Sequence, residues 1–178
     1  MKSLAGFLTV LLIITGGCEE KLQPSIVPIP GLGSPSQESW RSTITFSDSA
    51  RIKAILWAGY IAVFTDREYT LLHDSVHVDF FNLNREHTSE LTAQRARVND
   101  RTKDFAAYDR VVVVSDSGSV LKTDSLFWNS RTQKIETDAF VEIISPTEHI
   151  RGHGLVSDQS LTDYKIFRVT GEAVVKEE

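Results

Sequence analysis

The segment Gly118-Ser119-Val120-Leu121-Lys122-Thr123-Asp124-Ser125-Leu126-Phe127-Trp128 follows a hydrophobic run, Val111–Ser115. A looser echo, Glu148-His149-Ile150-Arg151-Gly152-His153-Gly154-Leu155-Val156-Ser157-Asp158, follows another, Phe140–Ser145. In each unit a strand opens on an aliphatic residue, Leu121 or Ile150, and five residues later comes a further apolar one, Leu126 or Leu155. Leu91 and Ala96 repeat the pattern after the alternating run Val76–Phe80, and residues 46–65 read as a degenerate earlier copy with Ile52 and Leu56 in these roles. One strand-turn-strand unit cannot bury its own apolar face, so such units stack and share a core. The repeat therefore predicts an all-β fold of stacked antiparallel hairpins, an open trough suited to a long apolar ligand.

Alternation elsewhere agrees. Trp40, Ser42, Ile44 and Phe46 fall on one face, with Arg41, Thr43 and Thr45 on the other. Val76, Val78 and Phe80 alternate with His77 and Asp79, and Val141 and Ile143 flank Glu142. Period-2 patterning of this kind marks half-buried strands. Val111–Val114 is a continuous β-branched run. Glu90–Val98 has the composition of a helix, yet Leu91-Thr92-Ala93 aligns with Leu121-Lys122-Thr123 and Ile150-Arg151-Gly152, so it is read as strand.

The chain ahead of these strands has a different texture. Lys2 is the only charge before Glu19, and an apolar run from Leu4 to Ile14 ends in Thr15-Gly16-Gly17-Cys18. That run is too short to span a bilayer and reads as an export signal over residues 1–17. Small residues before the single cysteine form a lipobox, which makes Cys18 the expected lipidation site. A lone cysteine in an exported chain has no disulfide partner, in keeping with that role. Residues 18–39 hold four of the five prolines and read as a tether, leaving residues 40–178 as one β domain. The formal net charge of −5 argues against a nucleic-acid partner.

Laid out in this way, the chain resembles the LptC family, periplasmic components of bacterial lipopolysaccharide export. The resemblance runs from about Trp40 to Gly171. It is carried by Gly118 with Leu121–Trp128, by Ile135-Glu136-Thr137-Asp138, by Ile150–Leu155, and by Val169-Thr170-Gly171. It implies a twisted β-jellyroll, open at one side, that takes lipopolysaccharide from an inner-membrane ABC transporter (LptB, LptF and LptG). The cargo would pass to an LptA-like bridge protein joined by β-strand addition at a sheet edge. Many family members have an N-terminal transmembrane helix where this chain has a lipobox. The expected location is the periplasmic face of the inner membrane, held by a lipid anchor, with the outer membrane as the alternative. The turn Asn82–Glu86 also lacks the glycine present at Gly118.

A carrier needs an apolar groove rather than a reacting group. The expected groove residues are Ile44, Phe46, Ile52, Val76, Val78, Phe80, Val112, Val114, Leu121, Leu126, Val141, Ile143, Ile150 and Leu155. Arg41, Lys53 and Arg67 are candidate rim bases for an anionic headgroup, and Trp128 is expected to anchor the core. Gly152 and Gly154 are expected to bend the sheet. His149 and His153 would lie about 13 Å apart on a strand, too far for one ion, so no metal is expected. The chain has no phosphate-binding glycine loop and no nucleophile elbow; neither enzyme activity nor a cofactor is expected. The alternative is a non-catalytic envelope scaffold using its β edges.

Overall fold

The computed structural model describes residues 33–170; Cys18, the export signal and most of the tether lie outside them. Ten strands follow in chain order: β1 (Gln37–Asp48), β2 (Arg51–Phe64), β3 (Tyr69–Phe81), β4 (His87–Ala93), β5 (Arg95–Asn99), β6 (Phe105–Ser115), β7 (Val120–Asn129), β8 (Lys134–Ile144), β9 (His149–Asp158) and β10 (Tyr164–Val169). All pair antiparallel in one sheet of order β1-β2-β3-β4-β6-β7-β8-β9-β10, with β5 continuing β4 between β3 and β6. The helix-like composition of Glu90–Val98 yields to this pairing, and the segment is strand. A 3-10 turn, Thr65–Arg67, is the only helical element among the described residues, and none of their helices is long and apolar enough to cross a membrane.

The sheet is creased across its middle. Residues with positive φ or register shifts face one another strand by strand: Arg41 beside Gly59, Gly59 beside Asp74-Ser75, these beside Gln94, then Asp109-Arg110, Asp124-Ser125, Asp138-Ala139 and Gly154. Bulges bend strands and sharpen twist. A line of them folds the sheet into two layers, and side chains from the two layers meet. The Phe80 and Trp128 ring centroids are 5.4 Å apart. Ser89 Oγ donates to the Gln159 carbonyl at 2.6 Å, and Lys53 Nζ donates to the Ser130 carbonyl at 3.1 Å.

The crease explains the five-residue spacing of the repeat. Alternation is strict within a strand, so an odd step places two residues on opposite faces. Leu91 and Ala96, Leu121 and Leu126 are nonetheless all buried. Each pair straddles the crease, where one irregular position resets the alternation.

Inward side chains of both layers form one core that includes Leu56, Leu72, Val78, Phe80, Leu91, Val113, Leu121, Trp128, Ile143 and Leu155, each at most 2% exposed. Three expectations need correction. Val112 and Val114 do not face inward: Val111, Val113 and Ser115 do, and Val114 is 37% exposed. A continuous run of valines carries no alternation, so residue type leaves its phase undetermined. Ile52 shares the phase of Ala54 and Leu56, but it sits beside the Ser49-Ala50 turn, at the rim of the layer, and is 39% exposed. Trp40 leaves the face of Ile44 and Phe46 because Arg41 has φ +49, and it packs outside against Tyr60.

Candidate functional site

Of the expected groove residues, Val76, Val78, Phe80, Leu121, Leu126, Val141, Ile143 and Leu155 converge between the layers and are buried. Phe46 joins them, and Ile44 and Ile150 are half-buried. Together they make a filled interior, not an open trough. The layers part at one end, where a cavity of about 460 Å³ lies between the end of β1 and the β7–β8 turn. Ile44, Phe46 and Trp128 line its apolar side. The Phe46 and Trp128 rings stand 6.4 Å apart, and the buried Trp128 Nε1 has no hydrogen-bond partner.

Lys53, Lys103 and Arg131 line the same cavity with a single acid, Asp48. The Ser49 hydroxyl and the Lys53 ammonium hold the Asp48 carboxyl below its ordinary range. Lys53 is therefore engaged, by Asp48 at 3.4 Å and by the Ser130 carbonyl. Among the described residues no ion pair engages Lys103 or Arg131. Of the rim bases read from the sequence, only Lys53 reaches this mouth. Arg41 lies on the crease, and Arg67 caps the β2–β3 turn beside the Tyr69 hydroxyl. Lys103 and Arg131 were not foreseen, because they belong to two turns that only the folding of one layer over the other brings beside β1.

Elsewhere on the described surface Arg95, Arg101, Lys122 and Arg151 have acidic partners. Glu142 gathers His149 at 2.8 Å, Arg151 at 2.7 Å and Lys122 at 3.8 Å; the hydrogen bonds from His149 and Arg151, with the Arg151 and Lys122 charges, lower its carboxyl. Arg95 pairs with Asp109. A larger notch, about 780 Å³, opens at the crease around His73, Asp74, His77, Arg95 and Arg110. It lacks the aromatic wall that Phe46 and Trp128 give the mouth. The mouth sets an aromatic wall beside three cationic side chains, the combination that a ligand with an apolar body and an anionic head needs.

Gly152 and Gly154 sit where β9 crosses the crease. A Cβ on Gly152 would lie 2.5 Å from the Arg168 carbonyl oxygen and 2.5 Å from Ile166 Cγ2. Gly154 has φ +78, and a Cβ there would meet only the Phe167 side chain, at 3.0 Å.

The family model described as "Lipopolysaccharide-assembly, LptC-related" matches residues 41–168. No curated protein matches the chain.

Proposed function

The chain belongs to the LptC-related family of lipopolysaccharide-assembly proteins, and on that premise we propose that it carries lipopolysaccharide between its two β layers. The family takes part in lipopolysaccharide transport in the cell envelope, in association with the inner membrane. In the proposed role the protein receives its cargo from the inner-membrane transporter LptB, LptF and LptG and passes it to an LptA-like bridge, with no catalytic step. The observation that carries the reading is the mouth. Its Phe46 and Trp128 rings adjoin Lys53, Lys103 and Arg131, so acyl chains and an anionic headgroup find suitable walls side by side. Each buried methylene contributes about 0.8 kcal/mol, so a few chain segments suffice for useful affinity.

The filled interior adds a condition. Chains can pass between the layers only if these separate from the mouth inward, beginning at half-buried Ile44. Among the described residues the two outermost strands, β1 and β10, each have one neighbour in the sheet, which offers two edges for strand addition. Cys18 is proposed as the lipid anchor that holds this arrangement at the inner membrane.

A photocrosslinking amino acid placed in cells at Phe46 or Val78 is expected to trap lipopolysaccharide. The same probe at outward-facing Val114 is expected to trap none. Loss of the adduct from both inward positions would overturn the carrier reading and favour an envelope scaffold that works through its edges alone, a reading that the filled interior also suits. Mass spectrometry of the mature N-terminus is expected to find acylated Cys18; an unmodified cysteine removes the anchor.

A further inference from the structure

We propose that the outer face of β3 and β4 carries a site for a divalent transition metal of the zinc class, with His77, Asp79 and Glu90 as ligands. His77 and Asp79 are two apart on β3, so they share the outer face while Val76, Val78 and Phe80 fill the core. Asp79 stands directly opposite Glu90 of β4. One ligand atom from each of the three lies within 4.8 Å of the others, and His77 Nε2 is 3.1 Å from Asp79 Oδ1. Ligands on a tetrahedral zinc are about 3.3 Å apart, given bonds of 2.0–2.1 Å. Small side-chain rotations therefore close the set around an ion.

His87 supplies an independent observation. Its Nδ1 lies 2.8 Å from an Asp116 carboxylate oxygen, and its Nε2 lies 3.6 Å from the same Asp79 oxygen that His77 approaches. A carboxylate hydrogen-bonded to one ring nitrogen while the other turns toward the site is the usual outer layer of a histidine-bearing metal site. Nε2 is thus turned toward the Asp79 carboxylate, within reach of an ion held there.

The charges point the same way. Asp79 and Glu90 are directly opposed on neighbouring strands, a destabilising arrangement for like charges. Among the described residues the ion-pair partners of Asp79 and Asp116 are imidazoles, and no ion pair engages Glu90. Imidazole with carboxylates suits zinc, copper or nickel better than calcium or magnesium, which take oxygen ligands. His77 and Asp79 are 37% and 35% exposed, so an ion can arrive from solvent and keep water on its open position. The bound metal would tie β3 to β4 on the face opposite the core.

The test is calorimetric titration of the metal-stripped full chain with zinc chloride, alongside calcium chloride and magnesium chloride. One zinc ion per chain is expected, bound more tightly than either other ion. His77→Ala and Glu90→Gln are each expected to weaken zinc at least about tenfold, and His87→Ala, which removes the imidazole beside Asp79, about tenfold. His149→Ala, away from the cluster, is expected to leave affinity unchanged. Cobalt(II) in place of zinc is expected to give an absorption spectrum that Glu90→Gln alters. Circular dichroism checks that each variant is folded, and Glu90→Gln, which keeps its shape, carries the test if His77→Ala is not. No zinc binding by the folded chain, zinc affinity unchanged by Glu90→Gln, or calcium bound as tightly as zinc would each overturn the site.

Discussion

Trp128→Ala is expected to remove about 3–5 kcal/mol of folding stability, the range for deleting a fully buried large aromatic. Trp128 is 1% exposed, and its ring meets Phe80 at 5.4 Å and Phe46 at 6.4 Å across the space between the layers. Such tilted pairs add about 0.5–1.5 kcal/mol beyond the area they bury. Domains of this kind are stable by only about 5–15 kcal/mol in total, so the loss is a large share. Trp128→Phe is expected to cost much less. It keeps a ring against Phe80, and it removes an indole N–H whose lack of a partner carries a desolvation cost of about 1–3 kcal/mol. Urea denaturation of the two variants checks this. Equal losses would mean that indole volume, not ring contact, holds the layers. No loss from the alanine variant would mean that the layers do not depend on this contact. Trp128 also lines the mouth, so the phenylalanine variant separates stability from cargo binding.

The hairpins, their order and much of the core were legible in the sequence because each rests on local rules. Alternation marks the strands, and Asp, Asn, Ser and Gly mark the turns between them. The thirty-residue repeat correctly outweighed helix propensity at Glu90–Val98, since pairing with β3 and β6 decides that segment. The five-residue step from Leu121 to Leu126 was visible, but its meaning was not. It implies a reset of the alternation, and only the register shows that the resets line up into a crease. The phase of Val111–Val114 was illegible because four like residues carry no alternation. Sites built across strands were hidden for a similar reason. His149 and His153 are close in sequence but go to separate partners, Glu142 and the Phe140 ring. His77 and Glu90 are thirteen positions apart and meet only through the β3–β4 register. The mouth likewise joins Phe46 to Arg131 through the folding of one layer over the other.

Gly152→Ala is expected to detach β10 and lower stability by about 1–3 kcal/mol, the usual cost of overpacking a close-packed site. The new methyl would stand 2.5 Å from the Arg168 carbonyl oxygen, and backbone cannot rotate aside as a side chain can. β10 is the strand that must yield, because among the described residues it pairs only with β9. Gly154→Ala tests a different cause. Its φ of +78 penalises any L-residue by about 1–2 kcal/mol, but the new methyl would meet only the Phe167 ring, which can turn away. The two variants should therefore part in hydrogen exchange. Gly152→Ala is expected to strip protection from Ile166 and Arg168, while Gly154→Ala loosens β9 at the crease and leaves β10 paired. If both leave β10 protected, the close approach at Gly152 does not hold the strand. If Gly152→Ala frees β10, it also exposes the edge of β9 in place of the native one. A partner that adds its strand at this end of the sheet would then meet the wrong register, and complex formation should fall while the mouth stays intact.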